Sequence, residues 1–217
     1  MVERKKILAI IIDMLLIFLL SYFVYIKNDL LNNINNKIYF MVYSCCITGA
    51  FKVVSFTAGG LFTFIIVLLF FYYEKKFYYK INYNGSSVLL VFSLVVSMII
   101  TFILKILTKS YRPGEMATYN YTLTGLILHA DTFSFPSGHT ARAFVVALSA
   151  RRIDRKISVL LLIWATLVGL SRLVLGRHWF FDIIGGIVVA HFSVLVSELA
   201  IEKYSDYIRR LLNLLKL

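Results

Sequence analysis

A chain of 217 residues is long enough for one or two soluble domains, but 60% hydrophobic against 16% charged residues leaves too little polar surface to cover them. The mean hydropathy of +0.82 says the same. A net charge of +12 would suit nucleic acid, yet the cations sit between apolar stretches rather than along one stripe. That distribution excludes a nucleic-acid binder and fits a membrane protein with positive-inside bias and attraction to anionic lipid.

The chain opens with Arg4, Lys5 and Lys6 before an apolar run over 7–26. The run is long, and Tyr25, Ile26, Lys27 and Asn28 make a poor cleavage site, so an uncleaved first span is expected. Cys45 and Cys46 are adjacent, which strains a disulfide, and they read as small packing residues. The stretch 38–51 is apolar but short and is followed by Lys52. Residues 38–56 therefore read as an interfacial or re-entrant helix in the first outer loop, with a further crossing as the alternative. Four more runs, 57–73, 88–107, 158–175 and 180–199, approach the roughly 20 apolar residues a span requires.

A further span is masked. Residues 137–150 carry His139 and Arg142, but 143–150 is apolar and Arg151, Arg152, Arg155 and Lys156 follow. Counting it predicts an all-α, polytopic six-transmembrane-helix bundle with a short extra helix in the first outer loop, one membrane-embedded domain over 1–217. The basic residues agree: Lys75, Lys76, Lys80, the Arg151–Lys156 group and Lys203, Arg209, Arg210 and Lys216 join the N-terminal cluster on one side. The first outer loop has only Lys27, Lys37 and Lys52. Both termini are expected to be cytoplasmic, with 204–217 lying flat on that surface. No repeat or low-complexity tract is evident.

Three segments gather ionisable groups at the ends of the apolar stretches, where charge is expensive and signals function. Lys105 and Arg112-Pro113 close the third span; the cations are about two helical turns apart, although a residue before proline disfavours helix. They suit an anion, or they are snorkelling anchors. Pro136-Ser137-Gly138-His139 reads either as an ordinary capped helix start or as a phosphate cradle of free amides with an imidazole beside it. Ser171-Arg172, His178 and Asp182 place a carboxylate one turn after a histidine, if His178 opens the last helix. Such a carboxylate can hold the imidazole in one tautomer. Metal binding is the rival, but Arg172 and Arg177 would repel a cation. Arg142, three residues after His139, is a candidate contact for a second phosphate or a polar residue pairing with a loop. Arg177 and Lys109 read as rim residues, while Asp13, His129 and His191 receive no role.

Together these segments resemble the type-2 phosphatidic acid phosphatase superfamily, with its pattern KxxxxxxRP, PSGH and SRxxxxxHxxxD. The flanking SFPSGHTAR and GLSRLVLGRH look most like its polyisoprenoid diphosphate phosphatase branch. The resemblance implies a metal-independent lipid phosphatase without cofactor. His178 would be the nucleophile that becomes a phosphohistidine, Asp182 its orienting carboxylate, and His139 the acid and later the base. Lys105, Arg112, Ser137, Gly138 and Arg172 would hold the phosphoryl oxygens on the outer side of the membrane. The implied partners are a lipid phosphate and the surrounding lipids, with no obligatory protein partner. Phosphatidic acid or phosphatidylglycerol phosphate is the alternative substrate. A lipid phosphotransferase using the same histidine, a haloperoxidase and a lipid transporter are the competing functions.

Overall fold

The computed structural model describes residues 2–43, 48–78, 85–115 and 129–205, with 122, 124, 125, 207, 210 and 214. Cys45, Cys46 and much of 204–217 lie outside the described residues. Eight α-helices are present among the described residues: α1 Val2–Tyr25, α2 Asp29–Tyr43, α3 Thr48–Phe56, α4 Gly60–Tyr78, α5 Ser86–Thr108, α6 Gly138–Ser149, α7 Arg155–Val174 and α8 Phe180–Lys203. Short 3₁₀ turns occupy Ala130–Thr132 and Ala150–Arg152.

Among the described residues, four helices (α1, α5, α7 and α8) are long and apolar enough to cross a membrane. At about 1.5 Å per residue they match a hydrocarbon layer about 30 Å thick. The chain is an integral membrane protein. A fifth span is completed if α3 and α4, bent by 53° at their break, count together. The masked segment over 137–150 is helical, but α6 has 12 residues and reaches only about 18 Å. Its polar content is tolerated because α5, α7 and α8 surround it, so it faces protein rather than lipid.

The extra helix of the first loop begins earlier than expected. Asn28 accepts the backbone N–H groups of Leu30 (3.1 Å) and Leu31 (3.3 Å), which starts α2 there. Its asparagines lower its hydropathy without breaking it. Asn35 is buried and its side-chain oxygen accepts the Phe181 N–H at 3.2 Å. Residues 38–56 thus fall across α2 and α3 rather than in one helix.

α8 is the central element, packed on α1, α5 and α6. One core joins Leu89, Leu90 and Leu94 of α5 to Val145 and Val146 of α6 and Ala190, Val194 and Ile201 of α8. Carboxylates fix the starts of α5 and α7. Asp154 accepts the N–H groups of Lys156 and Ile157 to open α7. Glu74, buried on α4, accepts both the Ser87 N–H (3.0 Å) and the Ser87 hydroxyl to open α5. Glu198 is buried on α8 and pairs with Lys6 (3.4 Å) and Arg151 (3.0 Å), tying three elements at the end that bears the termini. α1 is the most lipid-exposed of the spans. Halfway along it, buried Asp13 meets His191 Nδ1 of α8 at 2.7 Å, so this pair fastens α1 where apolar contacts are few.

Gly186 lets α8 lie close against the main chain at the start of α6. A Cβ there would sit 2.8 Å from the Ser137 carbonyl oxygen and 3.1 Å from Thr140 Cβ, and a backbone atom cannot step aside. Gly186→Ala is expected to destabilise the fold by about 1–3 kcal/mol through overpacking. A lower unfolding midpoint in detergent checks this, with Gly49→Ala, which meets open space, as the unaffected control.

Candidate active site

The last turn of α5 brings Lys105 into the interior, where its ammonium donates to the Phe133 carbonyl. α5 then stops: Thr108 is its last residue, and Lys109 caps it in the left-handed region at φ 47°. Lys105 and Arg112 therefore do not share a helical face, as the motif spacing suggested. Instead the chain turns, and Arg112 donates to the Asp131 carbonyl at 2.6 Å from an irregular segment before Pro113.

The second segment follows a cis Phe135–Pro136 bond. Ser137 is the N-cap of α6, accepting the Thr140 N–H (3.5 Å) and the Thr140 hydroxyl (3.0 Å). Its hydroxyl is fully buried in this role and does not line the cavity described below. Its backbone N–H donates to the Asp182 carbonyl at 3.0 Å, joining the second and third segments. His139 occupies the first turn of α6. Arg142 lies one turn on, donating to the Ala58 carbonyl at 3.3 Å and lying 3.4 Å from His139 Nδ1. Because guanidinium only donates, this contact leaves Nε2 of a neutral His139 as the protonated nitrogen.

The third segment leaves α7 with Arg172, whose guanidinium donates to Ser55 of α3. Gly176, at φ +63°, turns the chain back toward α8, a conformation L side chains resist. His178 lies in this connection, before the N-cap Trp179, rather than opening the helix as expected. Asp182 reaches back from the first turn to accept the Trp179 N–H at 2.8 Å. The same oxygen, Oδ2, lies 3.4 Å from His178 Nδ1. It also accepts a hydrogen bond from Ser134, whose hydroxyl is itself 3.4 Å from that ring nitrogen. Ser134 thus stands between carboxylate and imidazole. An ionised carboxylate accepts only, so the arrangement places the His178 proton on Nδ1 and leaves Nε2 with a lone pair. Burial lowers the His178 pKa to about 4 despite the opposing pull of Asp182, so the ring is neutral at neutral pH.

These segments converge on one cavity of about 510 Å³. His139, His178, Lys105, Arg112, Arg142, Arg172 and Gly138 line it, with Thr101, Met98 and Phe102 of α5 below them. Asp131 is the one carboxylate on its wall among the described residues. Asp182 lies behind His178, outside the wall. Arg112 Nε, Arg172 Nε and Thr101 Oγ1 are buried without a hydrogen-bond partner among the described residues. Unpaired buried donors are costly, and an oxyanion in this cavity would satisfy them. Among the described residues no cluster of three or more His, Cys, Asp or Glu side chains could hold a metal ion.

Sequence reasoning missed Asp131, Ser134 and the supports Ser55 and Ala58. Ser134 does stand in the SFPSGH run, three positions before Ser137, where a hydroxyl beside the motif was a usable signal. Ser55 and Ala58 carry no local mark.

The sequence profile of the PAP2 superfamily matches residues 86–204, which include every cavity cation and both histidines. Undecaprenyl-diphosphatase BcrC of Bacillus subtilis (strain 168) is 34% identical over 94 residues, 43% of this chain and 47% of that relative. The chain therefore matches about half of that relative's length. Among solved structures, a transmembrane PAP2-type phosphatidylglycerolphosphate phosphatase from Bacillus subtilis superposes with a TM-score of 0.66 at 18% identity. That match covers 89% of this chain and 96% of the other. Aquifex aeolicus LpxE gives 0.60 at 19% identity, covering 75% and 93%. At such identities these two likenesses speak to the fold.

Proposed function

Since the chain belongs to the PAP2 superfamily, we propose that it hydrolyses a lipid phosphate, with a polyprenyl diphosphate as the preferred substrate. The observation that carries this reading is the convergence of two histidines and four cations on one cavity that Met98 and Phe102 also line. His178 Nε2 attacks phosphorus, and the bond from phosphorus to the leaving oxygen breaks as His139, in its imidazolium form, donates its Nε2 proton to that oxygen and becomes neutral. The phosphohistidine is then attacked by water, which His139 deprotonates; the P–N bond breaks and inorganic phosphate leaves. Lys105, Arg112, Arg172 and the Gly138 amide bear the charge on the equatorial oxygens. Four cations supply the electrostatics a metal otherwise would, so turnover is expected to be metal-independent. Ser137 supports the cradle by capping α6 with its hydroxyl rather than by contacting the phosphoryl oxygens.

The same reading takes α6 as the sixth crossing, thickened by its protein surroundings, with termini in the cytoplasm and the cavity opening outward. Phosphate release from polyprenyl diphosphates, polyprenyl monophosphates, phosphatidic acid and phosphatidylglycerol phosphate, with and without EDTA, tests it. Release from none of them rejects the hydrolase, and loss with EDTA rejects metal independence. Release only when an acceptor alcohol is added marks a phosphotransferase.

Arg142 is assigned to the second phosphate of a diphosphate, next to His139. Arg142→Ala is expected to lower kcat/KM for the diphosphate about 10- to 100-fold more than for the matching monophosphate. Equal losses on the two substrates remove that assignment.

A further inference from the structure

A cavity with four cations binds phosphate whether it arrives on a lipid or remains as product, so turnover requires something that loosens its hold on the free anion. The wall supplies one opposing charge. Asp131 lies in the Ala130–Thr132 turn, which is closed by the Thr132 N–H on the His129 carbonyl (2.9 Å) and the Phe133 N–H on the Ala130 carbonyl (3.2 Å). Arg112 holds the Asp131 backbone carbonyl at 2.6 Å, which pins the turn over the cavity. The Asp131 side chain carries none of this: its carboxylate is fully exposed and stands 4.0 Å from the Lys105 ammonium. A residue placed by its backbone, with its charge free beside a phosphate-binding lysine, acts through that charge and not through the fold.

We propose that Asp131 weakens the cavity's grip on phosphate, so that the inorganic product leaves while a lipid phosphate, held also by its tail, still binds. The proposal rests on the phosphate-binding reading of the cavity. The carboxylate repels every anion that enters, but a lipid substrate recovers the loss from apolar contact of its tail with Met98 and Phe102 below Lys105. Free phosphate has no such contact. The penalty is common to both, but only the lipid retains enough further contact to stay bound, so the product leaves and ambient phosphate binds weakly.

Asp131→Asn removes the charge at nearly constant shape, and Asp131→Glu restores it. Inorganic phosphate is titrated into detergent-purified protein by calorimetry, and its inhibition constant is measured against the best lipid substrate. In Asp131→Asn both constants are expected to fall about 3- to 10-fold, with binding tighter than in the native protein, while Asp131→Glu stays within about twofold of native. Tighter binding is not what a damaged site would give. Unchanged or weaker phosphate binding in Asp131→Asn, or the same tightening in Asp131→Glu, overturns the proposal. The calorimetric arm needs no turnover. A native protein that hydrolyses none of the lipids but whose Asp131→Asn variant binds phosphate more tightly would sink the phosphatase reading and leave the Asp131 assignment standing.

Discussion

Replacing His178 with alanine is expected to lower kcat by at least about 10⁴-fold while leaving inorganic phosphate binding within a few-fold of native. The two effects separate because they reside in different groups. Lys105, Arg112, Arg142 and Arg172 still line the cavity and still attract the anion, whereas the imidazole whose free lone pair faces the cavity is gone. Substrate labelled at the phosphoryl group and quenched in acid-free conditions should leave label on the native protein and none on His178→Ala. Residual turnover above about a hundredth of native would reject His178 as nucleophile. Loss of phosphate binding together with turnover would point to collapse of the connection between α7 and α8 instead.

His139→Ala should cost about 10²- to 10⁴-fold on a lipid alkyl phosphate, in the range for a positioned acid. An aryl phosphate with a stable leaving phenolate needs little protonation, so its loss in the first step is expected to be at least tenfold smaller. Pre-steady-state release of the phenolate reads that step alone, before the water attack in which His139 would also act. Equal losses for both leaving groups would leave His139 a binding residue.

How far the site was legible depended on where each contact came from. Lys105, Arg112, His139, Arg172, His178 and Asp182 were readable because charged side chains at the ends of apolar runs stand out on hydropathy alone, and all but Asp182 line the cavity. Their supports were not readable. Ser55 meets Arg172 across 117 positions and Ala58 meets Arg142 across 84, and an uncharged residue at such a distance leaves no pattern to find. Ser137 stood open between an ordinary helix cap and a phosphate contact, and its hydroxyl is engaged in capping α6. The helices were legible where lipid imposes apolarity, as in α1 and α5. They were less so in α2, whose asparagines face protein, and in α6, whose 12 residues are shielded by neighbours.

The Ser137 N–H on the Asp182 carbonyl, with Gly186 flush against the Ser137 carbonyl, couples the start of α6 to the start of α8 through main chain alone. Main-chain couplings do not change rotamer. A bilayer that thins or thickens around this molecule and tilts its outer helices would move His139 and His178 together as one rigid unit. Lipid composition should then govern how readily a substrate gets in, while the intrinsic speed of phosphoryl transfer stays the same from one membrane to another.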